Sequence, residues 1–117
     1  MASRREPPAL HRRDVLALAG AAAISAAPAL ARQPRRHTIT LAQMAFGPAP
    51  AGLRVGDVIE WINADIFRHS ATARDGSFDV DLVPKARARI TLRKAGAIDF
   101  YCRYHPGMTG RLQVAKA

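Results

Sequence analysis

From Thr38 to the C-terminus the apolar residues fall in short, largely alternating stretches broken by Gly, Pro and Asp turns, and no convincing amphipathic helix is present. Thr38-Ile39-Thr40-Leu41 alternates, and Phe46 to Gly52 is rich in Gly and Pro. Leu53 and Val55 lead through the turn pair Gly56-Asp57 into Val58–Asn63, the strongest β segment of the chain. Residues 64–75 carry no helical stripe and are expected as loop, with a short strand around Ser70 to Thr72. Further strands are expected over Phe78–Val83, Ala88–Leu92, Ile98–Cys102 and Gly110–Val114, separated by Asp75-Gly76, Pro84 and Lys94-Ala95-Gly96. Six or seven short strands without a helix imply an all-β sandwich or barrel.

The first 31 residues read differently. Arg4, Arg5, Arg12 and Arg13 form a basic head, Val15 to Ala27 an Ala-rich apolar stretch, and Ala29-Leu30-Ala31 a small-residue cleavage pattern. That order is a secretory signal, and His11-Arg12-Arg13-Asp14-Val15-Leu16 resembles a twin-arginine export motif. A stable membrane anchor is disfavoured, because the apolar run is shorter than the ~20 residues a spanning helix needs and ends at Pro28. Residues 1–31 are therefore expected to be an export signal, and residues 32–117 one periplasmic domain, expected as a monomer.

Residues 32–117 hold 14 Lys or Arg against 7 Asp or Glu, a net charge of +7 with neutral His. A surface of that sign speeds encounters with acidic partners. Nucleic acid is not expected as a partner: the basic residues are scattered, only Arg32, Arg35 and Arg36 cluster, and no recognition helix is present.

Small exported domains commonly carry paired cysteines, yet this chain has Cys102 alone. A lone thiol in an oxidising compartment must be buried, paired with another chain, or bound to metal. Its neighbours decide. In Cys102-Arg103-Tyr104-His105-Pro106-Gly107-Met108, three soft or borderline ligands recur every three residues at a strand end, where Pro106 and Gly107 bend the chain. His69, in the loop after the Trp61 strand, is the natural fourth donor. Thiolate and thioether favour Cu(I), imidazole accommodates Cu(II), and a His2Cys set with a weak Met is the pattern of blue-copper electron-transfer sites. Zinc fits less well, since its structural sites lack a thioether and its catalytic sites keep a position open for water.

At these residues the chain resembles the cupredoxins, the blue type 1 copper proteins, and among them the short-loop amicyanin- and plastocyanin-like members. The likeness covers Phe46-Gly47-Pro48, Leu53 to Asn63, His69-Ser70-Ala71-Thr72, Asp75 to Asp79, and Tyr101-Cys102 through Met108-Thr109-Gly110. It implies a cupredoxin-like Greek-key sandwich of about seven strands and a single copper cycling between Cu(I) and Cu(II). It also implies His69, Cys102 and His105 as equatorial ligands and Met108 as the axial one. Ser70 departs from an Asn often found after the first His, which ties the two ligand loops together in that family.

The resemblance further implies that some of Met44, Phe46, Phe67 and Pro106 surround an exposed edge of His105. Trp61, Phe78, Ile90, Leu92, Phe100 and Leu112 are expected in the core, and His37 is expected to be exposed near a flexible end. The function expected is electron carriage between a donor and an acceptor protein. The alternative is a copper-binding protein for sequestration or delivery. An enzyme is not expected, because catalytic copper needs an open position and usually a second site.

Overall fold

In the computed structural model, residues 32–117 are described, and the segment assigned to export, residues 1–31, lies outside them. The strands are β1 (Arg36–Ala42), β2 (Ala45–Phe46), β3 (Leu53–Arg54), β4 (Val58–Asn63), β5 (His69–Ala73), β6 (Asp79–Leu82), β7 (Arg87–Thr91), β8 (Gly96–Tyr101) and β9 (Thr109–Ala115). One sheet runs β2-β1-β4-β7 and the other β3-β9-β8-β5-β6. Both are mixed, because β1 pairs parallel with β4 and β3 parallel with β9. The described residues are all-β, as their alternation implies. Among the described residues no helix is long and apolar enough to cross a membrane.

Alternation buries one face of each strand: Ile39 and Leu41 from β1, Ile59 and Trp61 from β4, Ile98 and Phe100 from β8, and Leu112 and Val114 from β9. Each such side chain contributes about 1.5–3 kcal/mol of burial. An aromatic cluster locks the two sheets. The Trp61 ring meets Phe100 edge-on at 5.2 Å and Phe78 at 5.6 Å, and Phe46 meets Phe100 edge-on at 4.8 Å. Phe46, a candidate for the surface around His105, is thus a core contact. Gly110 lies opposite Phe100 in the β8–β9 ladder, where a Cβ would stand 2.3 Å from the ring's Cζ, so only hydrogen fits.

Among the described residues nine strands replace the expected six or seven, because β2 and β3 are two residues long, too short to carry a period. The β1–β2 hairpin turns through Gln43 and Met44, both left-handed at φ 51° and 62°. That conformation normally announces itself as Asn-Gly, so Gln-Met gave no signal. The bond from Met44 N to Asp65 Oδ2, 2.9 Å, helps hold it.

His37 is a correction. It is a β1 residue whose ring Nε2 donates to the buried Asp57 carboxylate at 3.1 Å, leaving the side chain only 16% exposed. A carboxylate excluded from water needs donors, and a ring nitrogen on the adjoining strand supplies one.

Candidate metal centre

The spacing of three in the Cys102–Met108 segment has a backbone cause. His105 N donates to Cys102 O at 3.3 Å and Met108 N to His105 O at 2.8 Å, so two linked β-turns share His105 as their corner. Pro106 and Gly107 occupy the central positions of the second turn. Cys102 N then donates to Met108 O at 3.1 Å, closing the loop between β8 and β9. Each candidate ligand sits at a turn end, and the turns face one another.

His69 arrives from the other side. It opens β5, its partner across β6 is Leu82, and it is fully buried. The loop before it is fastened by buried Asn63, whose Nδ2 donates to Phe67 O and Leu82 O, both at 2.8 Å, while its Oδ1 accepts from Asp65 N at 2.8 Å. Asn63 and Asp65 were not singled out in the sequence. The only signal was an Asn at a strand end followed two residues later by Asp, an ordinary turn signature.

The structure brings three of the four expected donors together. His69 Nδ1 lies 3.2 Å from His105 Nδ1, and Cys102 Sγ lies 3.7 Å from the former and 3.6 Å from the latter. The point equidistant from the three, the circumcentre of a triangle with those sides, is about 2.0 Å from each atom, a metal–nitrogen bond length. Cys102 is fully buried, Met108 is buried beside it in the core, and His105 is partly exposed.

The tautomer of His69 is set by its surroundings. Its Nε2 donates to Asp65 Oδ2 at 2.9 Å, so Nδ1 keeps its lone pair toward Cys102 and His105. Asp65 is a well-supplied acceptor, taking bonds from Met44 N and Ile66 N as well. The bond from His69, then that from Met44, hold its carboxyl below the ordinary range. The donor set is thus two imidazole nitrogens and a thiol sulfur, with Met108 buried in the same core cluster as Cys102, which fits copper.

Ser70 takes over the loop-tying task that a family Asn would perform. Its N donates to Cys102 Sγ at 3.3 Å, and its Oγ accepts from Arg103 N at 2.8 Å, bridging β5 to the loop at Cys102 and at the residue that follows it. A hydroxyl suffices because β5 runs directly beside the loop. On the outer surface Arg103 pairs with Asp79, and Arg68 pairs with Asp81, with Tyr104 Oη donating to Asp81 at 3.1 Å. The rim of the site is charged but internally neutralised. Phe67 meets His105 edge-on at 6.3 Å, and Met44, Ile66, Phe67, Val83 and Tyr104 are exposed at this end.

Comparison with known proteins agrees with this arrangement. Residues 15–114 match the family described as the cupredoxin-like domain. The chain is 28% identical to amicyanin of Paracoccus versutus over 68 residues, covering 53% of this chain and 52% of that protein. It is 28% identical to amicyanin of Paracoccus denitrificans over 82 residues, covering 65% and 63%. It therefore spans between half and two thirds of the length of these relatives.

Among solved structures, a reduced amicyanin variant superposes with TM-score 0.60 at 24% identity over 68% of this chain and 81% of its own. A purple cupredoxin from Nitrosopumilus maritimus gives TM-score 0.60 at 20% identity, over 68% of this chain and 99% of its own. A copper-containing nitrite reductase from Thermus scotoductus gives 0.63 at 29% identity, over 74% of this chain but 24% of the reductase.

Proposed function

Because the chain belongs to the cupredoxin-like domain family, we propose that it is a small periplasmic electron carrier whose one copper is held by His69, Cys102, His105 and Met108. The observation that supports this most strongly is the convergence of His69, Cys102 and His105 donor atoms on one point. Bound copper supplies a centre that takes up and returns one electron. The chain's residues supply everything else. Asp65 fixes the ring of His69, Ser70 N holds the sulfur of Cys102, and the two turns fix His105. Ligands held this firmly rearrange little between oxidation states, as rapid one-electron exchange requires.

His105 is the partly exposed ligand, and Phe67 and the neighbouring apolar side chains offer a surface for brief contact with donor and acceptor proteins. Export through residues 1–31 and work as a monomer, not an enzyme, complete the reading. The test is the visible spectrum of the Cu(II)-loaded protein through a cycle of reduction and reoxidation, beside Cys102→Ser. An intense band that bleaches, returns and is missing in the variant supports the carrier. A colourless protein that takes up copper only as Cu(I) refutes it in favour of copper handling.

A further inference from the structure

The end of the domain opposite the metal centre carries a different kind of surface. The Arg54–Val58 turn is bonded to three other segments. Arg35 N donates to Asp57 Oδ1 and Val58 N to Arg35 O, Gly56 N donates to Leu92 O, and Val55 N donates to Ala115 O. These bonds gather Arg35, Arg36, Arg54, Arg93 and Lys116 around one turn, each exposed.

No side chain of the five forms an ion pair among the described residues, whereas most cations on the rest of the domain do. Arg68 pairs with Asp81, Arg103 with Asp79, Arg87 and Arg89 with Glu60, and Arg111 with Asp99. The acid at the turn itself, Asp57, is fully buried and offers no surface charge. The domain's excess positive charge is thus concentrated at one pole. The six β1–β4 pairs from Arg36↔Val58 to Leu41↔Asn63 separate it from the metal end, roughly 20 Å of strand.

We infer that this basic pole binds the phosphates of an anionic phospholipid surface, seating the domain with its metal end facing away from the bilayer. The chemistry favours lipid over an acidic protein. The core of a protein docking patch is more apolar than its rim, and the exposed large hydrophobics of the described residues, Met44, Ile66, Phe67, Val83 and Tyr104, all lie at the other end. Guanidinium and ammonium groups without exposed large hydrophobic side chains or exposed carboxylates beside them suit a headgroup layer, whose attraction acts within a Debye length and adds up per cation. His105 would then stay free for redox partners while the carrier moves along the membrane.

The test is sedimentation of the full 117-residue chain with phosphatidylcholine vesicles, with and without phosphatidylglycerol, at low and high salt. Two triple variants lose the same charge: Arg36→Gln/Arg54→Gln/Arg93→Gln at the pole, and Arg87→Gln/Arg89→Gln/Arg111→Gln on the strands. All six side chains are exposed, and unchanged melting curves verify folding. Binding to the anionic vesicles that salt reverses, and that falls by about tenfold or more in the pole variant only, supports the inference.

Equal loss in both variants would reduce the effect to net charge and overturn it. So would binding indifferent to salt and to the pole substitutions, which would belong to the apolar N-terminal stretch. Binding to polyglutamate with none to the vesicles would reassign the pole to acidic polypeptides.

Discussion

The two ends of the domain are each organised by buried polar side chains, but they finish the task differently. At the basic pole Asp57 collects Arg35 N, Arg54 N and His37 Nε2 on its two oxygens, so every bond joins a donor to an acceptor. At the metal end His69, His105 and Cys102 turn toward one another with no carboxylate or carbonyl between them, and the lone pair of His69 Nδ1 faces its neighbours. A polar hub that satisfies itself is structure. Two imidazoles and a thiol turned toward one point, with one ring nitrogen's lone pair already fixed inward, are a donor set that suits a soft cation.

The largest expected effect separates the hubs. Asp57→Ala strips the acceptor from two backbone amides and a ring nitrogen, and should lower unfolding free energy by about 3 kcal/mol. Copper affinity of the molecules that remain folded should not change, because the pole lies a strand's length from the ligands. Denaturant titration beside a copper-competition titration measures both. A fall in affinity as large as the fall in stability would show the two ends to be one cooperative unit.

Asp65→Ala is the converse. It leaves the core intact but frees the His69 ring to rotate or to place its proton on Nδ1, so copper affinity should drop about 10–100-fold with a smaller change in stability. Asp65→Asn, which keeps an acceptor, should recover most of the affinity. If Asn and Ala are equally weak, the carboxylate acts through its charge rather than by fixing the ring.

The same contrast explains what could be read in advance. The nearness of Cys102 to His105, and the strands around Trp61 and Phe100, were legible because each depends on residue type at a short spacing, whereas His69 joins them from 33 residues away only through the packing of β5 beside the Cys102 turn. Asp65, Asn63 and the double role of Ser70 were not, since each acts through bonds whose direction depends on how loop 64–68 and β5 approach the Cys102 turn. His37 was misplaced for the same reason: its partner is 20 residues away in sequence and is reached only when β1 lies parallel to β4. The positive φ of Gln43, Met44 and Lys85 was hidden because none of those residue types advertises it.

Ser70→Ala probes the metal end more finely. The bond from Ser70 N to the sulfur is a backbone bond and survives, while the Oγ link to Arg103 N is lost. Stability should fall by about 1–2 kcal/mol, and the position of the thiolate-to-copper band should hold. A shifted band would mean that the hydroxyl, not the amide, sets the sulfur's surroundings.

The smallest effect concerns the charge contrast between the ends. Arg68, and then Tyr104, hold the Asp81 carboxyl down at about 2, against an ordinary 3.8. Because the folded value is the lower one, the pair's contribution to stability is present above pH about 4 and is lost as pH falls toward 2. The melting temperature should therefore decline more steeply through that window in the parent than in Asp81→Asn. The difference should be slight and should shrink with salt, since both side chains are exposed. Below that window Arg68 loses its counter-charge and the rim around His105 becomes positive like the opposite pole. A partner that distinguishes the two ends by charge should then dock at either, so a docking rate that is steady down to pH 4 and changes below it in the parent, but already shows that change at higher pH in Asp81→Asn, would tie recognition to this one pair.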